Sequence, residues 1–177
     1  MKSIFYFMLC LFLLLGAGKQ SFAFEPTETQ KAGLSSLIVE VNDSVKNGNF
    51  TLLSSHMPDR LYKEIARRLQ TTEESLHHDF LQQLRVQFEN LPAGAYHLDE
   101  TNIDYLQTES GAVYALIPTR LETKDRLIKY KTLAIFDKTR WYLIYGGHKT
   151  IQNPVFLEIY PDFDQIHLPL KEVIMKK

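Results

Sequence analysis

Cysteine is almost missing from this chain: the one thiol in 177 residues is Cys10, inside an N-terminal apolar run. Beyond that run there can be no disulfide, no thiolate nucleophile and no cysteine-ligated metal. The fold must be held by its core alone, and an apolar content of 45 % is enough for one. Charge of one sign is missing too, with 20 basic residues against 21 acidic ones. Nothing in that balance attracts nucleic acid or an anionic membrane surface. Several chemical signatures are also absent. Gly146-Gly147 lacks the lysine of a phosphate-binding loop. No serine sits in G-x-S-x-G, and no repeat or low-complexity segment argues for a second domain. No cofactor is expected.

What is present begins with a leader. Lys2 precedes an unbroken apolar run, Ile4 to Ala17, and Ser21-Phe22-Ala23 then places small residues where a signal peptidase reads. This layout predicts a secretory signal peptide over 1–23, cut after Ala23, and a periplasmic or secreted destination. Lys19 closes the run short of the roughly 20 residues that a spanning helix needs, so no membrane attachment is expected after removal. Cys10 lies inside the run and is not a lipoprotein cysteine. Lys2 and Lys19 leave with the signal, and the remaining chain is mildly acidic. Residues 24–33 read as a polar, flexible leader, and 34–177 as a single α+β domain with a C-terminal extension. Two glycosylation sequons, at Asn42 and Asn49, matter only in a eukaryotic secretory pathway.

Leu34, Leu37, Ile38, Val41 and Val45 recur at helical spacing up to the turn Asn47-Gly48-Asn49. A short helical piece follows over 50–57. Another helix, opened at Asp59, carries Leu61, Ile65 and Leu69. Thr71-x-x-Glu74 is a capping box for a helix bearing Leu76, Phe80, Leu81, Leu84 and Phe88. After Gly94 the period changes to two. Strands are expected over Ala95–Gln107, Ala112–Glu122, Leu127–Phe136 and Arg140–Gly146, the last three joined by short turns and so antiparallel. Ala115, Ile117, Tyr130, Thr132, Ala134, Trp141, Leu143 and Tyr145 share one side of this sheet. Leu133, Ile135 and Ile144 lie on the other, which must therefore meet the C-terminal tail or a partner. The fold class is α+β: N-terminal helices packed on a bent four-stranded antiparallel sheet, cone-like.

Helices first and a long meander afterwards resemble the nuclear transport factor 2-like superfamily. Three pieces carry the resemblance. "VKNGNFTLLSSHMPD" is similar to the family's turn after helix one, "AVYALIPTRL" to a central strand, and "LAIFDKTRWYLIYG" to the closing hairpin. The likeness spans about Leu34 to Gly147. It implies a cone-shaped fold shared with polyketide cyclases and ketosteroid isomerases, and so allows isomerase, dehydratase or cyclase chemistry.

His77-His78-Asp79 invites a metal reading, but successive helical side chains diverge by about 100°. Metal-binding helices place histidines four apart, and this one does not. No metal site is expected. Glu73 and His77 are i, i+4 neighbours on the apolar side. A carboxylate beside an imidazole favours its charged form, so the pair could do acid–base work if substrate reached it. The same pair can equally be a core histidine and a first-turn acid. Tyr114, Tyr130, Trp141 and Tyr145 cluster on the sheet, either as core or as walls of a cavity. Two functions follow. The first is an exported non-catalytic binding domain, with Glu73, His77, Tyr114, Tyr130, Trp141 and Tyr145 around an apolar ligand or facing a protein partner. The second is an isomerase-type enzyme with Glu73 and His77 as the catalytic pair. Self-association into a homodimer through an exposed sheet face is a third arrangement.

Overall fold

The computed structural model describes residues 24–176, so the predicted signal peptide and Lys177 lie outside the described residues. The first helix, α1, spans Glu28–Lys46. It starts inside the stretch expected to be a flexible leader. The cause is a capping box that hydrophobic periodicity does not reveal. The Gln30 N–H donates to Thr27 Oγ1 at 3.2 Å, and the Thr27 N–H donates back to Gln30 Oε1 at 2.9 Å. The Trp141 indole N–H then donates to the Gln30 carbonyl at 2.7 Å and ties this first turn to the sheet. Three more helices follow: α2 (Phe50–Ser55), α3 (Asp59–Arg68) and α4 (Glu73–Phe88). The cap of α4 is Thr72, which accepts from the Ser75 N–H, one residue beyond the expected capping box.

Among the described residues the sheet has six strands rather than four: β1 (Tyr96–Leu98), β2 (Asp104–Gln107), β3 (Val113–Glu122), β4 (Arg126–Asp137), β5 (Arg140–Ile144) and β6 (Glu172–Met175). The expected long first strand breaks in two. Asp99 accepts from both the N–H and the hydroxyl of Thr101, and Asn102 adopts φ 56°. That local turn competes with the ladder. β1 therefore pairs with the end of β3 and β2 with its beginning, both along one edge. On the far edge of β4, Leu133 faces Ile144 of β5 and Ile128 faces Val173 of β6. Tyr130, Lys131 and Thr132 lie between these two pairings with no strand partner on that edge among the described residues. The curled antiparallel sheet forms a half-barrel, consistent with a cone.

Side chains alternate across a strand, and here both faces are apolar. The row Ala115, Ala134, Leu143 lies under Leu34, Leu37, Ile38 and Val41 of α1. The small alanines let the helix approach closely. The opposite row, Leu116, Leu133, Ile144, is covered by the chain's own C-terminal segment. That segment consists of α5 (His148–Ile151), α6 (Pro154–Ile159), a 3₁₀ turn (Pro161–Phe163) and Leu168. The chain's own tail meets the second face.

Two polar clamps fix the layers. Asn42 on α1 acts as a strand partner for Leu98: its amide donates to the Leu98 carbonyl at 2.9 Å and accepts from the Leu98 N–H at 2.8 Å. The first sequon is thereby committed to the fold. At the other end Asp137 gathers Arg60 of α3, at 3.4 Å, and the Tyr160 hydroxyl after α6, at 3.2 Å. No helix among the described residues is long and apolar enough to cross a membrane.

Candidate functional site

The chain leaves β5 at Ile144 because Gly146 and Gly147 turn it outward at φ 91° and 55°. A side chain at Gly146 would also collide with Thr150 Oγ1. With β5 ended there and β6 starting only at Glu172, β4 is left uncovered at Tyr130–Thr132. The space beside this gap is roofed by α3 and α4. It is a cavity of about 730 Å³, within the size range of small-molecule sites.

Its walls are mostly apolar: Leu61 from α3, Phe80, Leu84 and Phe88 from one stripe of α4, and Phe156 from α6. The polar lining includes a group of hydroxyls. Tyr96, Tyr130 and Tyr145 line it with Thr132. The Tyr145 hydroxyl donates to the Leu53 carbonyl at 3.3 Å, and Thr132 shares a buried 2.7 Å bond with Thr119. Burial pushes the Tyr130 phenol up to about 12. Burial likewise raises the Tyr96 and Tyr145 phenols well above their ordinary value. These groups stay protonated across the physiological range and act as neutral donors. The exposed members of the lining, Arg68, Leu69, Gln87, Gly146, Lys149 and Asn153, mark where the cavity opens.

Of the site residues expected from sequence, Tyr130 and Tyr145 stand on this wall. Trp141 is buried below α1, edge-on to Phe136 with ring centres 5.3 Å apart. Tyr114 points to the other face and meets Phe163 at 5.7 Å. Strand alternation requires this, since its neighbour Ala115 faces α1. Glu73 is exposed on the first turn of α4. His77 is half-buried and lies flat on the Tyr62 ring, with ring centres 3.6 Å apart. Neither lines the cavity: the α4 stripe that reaches it begins one turn later, at Phe80. Among the described residues no hydrogen bond or ion pair joins Glu73 to His77. His78 and Asp79 are exposed, on diverging directions.

Sequence reasoning missed Tyr96 and Thr132. Tyr96 was legible in principle, because it stands two residues before the inward-facing Leu98. Thr132 was placed on the inner face but read as ordinary sheet. Lys149 carried no signal of its own, since its place depends on how Gly146-Gly147 turn the chain. Compared with known families, curated proteins and solved structures, the chain matches none of them.

Proposed function

We propose that this chain is an exported binding domain whose cavity holds a small, mostly apolar ligand with a hydrogen-bonding group at its inner end. The observation that carries the reading is the composition of the wall. Leucine and phenylalanine side chains surround a cluster of tyrosine and threonine hydroxyls, the usual division between affinity and orientation in such sites. The layout of residues 1–23 supports export. The order of helices and meander, similar to the nuclear transport factor 2-like superfamily, supports a cone that encloses a ligand. Isomerase-type chemistry through Glu73 and His77 draws no support from their positions, one in solvent and the other stacked on Tyr62.

The test is direct binding. The purified chain without residues 1–23 is titrated with the neutral apolar dye Nile red and followed by fluorescence, with native mass spectrometry for stoichiometry. Saturable one-to-one binding is expected. Gln87→Trp, at an exposed position on the rim, narrows the opening without touching the core and weakens it. Absence of saturable binding, or binding indifferent to Gln87→Trp, sinks the proposal.

A further inference from the structure

We infer that the ligand is an anionic amphiphile whose apolar body fills the cavity while its carboxylate or phosphate group stays at the opening beside Lys149. This rests on the binding reading above and adds the charge and orientation of the ligand. Among the described residues no aspartate or glutamate belongs to the lining, whereas Arg68, Lys131 and Lys149 do. Two of these cations are already engaged. Arg68 pairs with Glu64 at 2.7 Å and with Glu158, and Lys131 pairs with Asp104 at 3.2 Å. Lys149 forms no ion pair among the described residues. It is exposed on α5, directly after the Gly146-Gly147 turn that shapes the rim.

The inner end cannot take the charge. The buried polar members of the lining, Tyr96 and Thr132, are neutral hydroxyls, Lys131 is already held by Asp104, and an ion buried without a counter-charge is costly. The head group therefore belongs at the rim, where water still reaches it and one free ammonium faces it. A cationic head would meet Lys149 as a like charge, and a neutral head would forgo the attraction.

The experiment displaces Nile red from the same chain with three twelve-carbon probes that share one terminal hydroxyl. They are ω-hydroxydodecanoate, dodecanediol and ω-aminododecanol. At low salt the carboxylate should bind about three- to tenfold tighter than the diol, and the ammonium weakest of the three. High salt should shrink the spread. Lys149→Met should flatten the order, and Lys149→Glu should reverse it. Both changes are at an exposed side chain, and far-UV circular dichroism checks that the fold is kept. Dodecyl phosphate set against dodecanoate then separates a phosphate-headed lipid from a free carboxylic acid, with either anion in the lead consistent with the inference. Equal affinities for the three probes, or an order unchanged in Lys149→Glu, overturn the inference but leave the binding reading standing. Loss of dye binding itself brings down both.

Discussion

Replacing Phe156 by alanine tests whether the C-terminal segment is part of the core or a loose cover. The side chain is 1 % exposed and sits among Tyr160, Phe163 and the outer row of the sheet. Its ring centre lies 5.3 Å from that of Tyr160 and 6.1 Å from that of Phe163. Removing a buried phenylalanine costs about 3–5 kcal/mol through lost transfer energy and the void left behind. Phe156 also borders the cavity, so part of the new space joins one already open. The low end of that range, about 3 kcal/mol, is expected. Against a typical total of about 5–15 kcal/mol this is a large fraction. Urea unfolding, followed by Trp141 fluorescence and far-UV circular dichroism together, should show the midpoint fall by about 1–3 M with an unchanged slope. Leu170→Ala, at a position 88 % exposed, should stay within about 0.5 kcal/mol. A Phe156→Ala loss below about 1 kcal/mol would refute the reasoning, because no fully buried aromatic in a well-packed layer is that cheap to remove.

Two other perturbations follow from the same packing. Asn42→Ala removes both bonds to Leu98 and leaves a partly buried N–H and carbonyl without partners; a loss of about 2–3 kcal/mol is expected, with faster amide exchange in β1 by mass spectrometry. Acid should weaken the fold through His56, whose pKa burial holds below its ordinary value, against a raising influence of Glu40 and with a lowering one from Arg140. Its Nε2 stands 3.4 Å from Glu40 Oε2 and has no hydrogen-bond partner among the described residues. The unfolded chain takes up the proton first, so stability is retained above about pH 6.5 and lost as pH falls toward the folded-state value. Melting temperature measured from pH 7 to about pH 5 should fall less steeply in His56→Gln than in the parent.

Much of the fold was legible because it is local. The period-two pattern placed Ala115, Ala134 and Leu143 on one face, and the apolar residues opposite them required a second covering layer. The break in the first strand was not legible, because it depends on Asp99 turning back to Thr101 rather than on apolar pattern. β6 was missed for a related reason: its Val173, Ile174 and Met175 remain partly exposed, so no burial alternation marks it. The site was half legible. Tyr130 and Tyr145 follow from strand alternation. The failure of Glu73 and His77 to reach the cavity follows from how α4 sits against α3, and a helical wheel holds no information about where a neighbouring helix stands.

The dependence of the sheet on the C-terminal segment also sets a schedule. A chain made or translocated from its N-terminus has every strand from β1 to β5 available while the second face has only Leu61 of α3 and its neighbours for cover. The cover over Leu116, Leu133 and Ile144 is complete when Phe156, Phe163 and Leu168 have emerged, and β4 gains its β6 neighbour last of all. Completion of the domain is thus tied to arrival of its end. Until then the growing polypeptide carries exposed apolar surface on that side, and any truncation before Phe156 leaves much of it open to association.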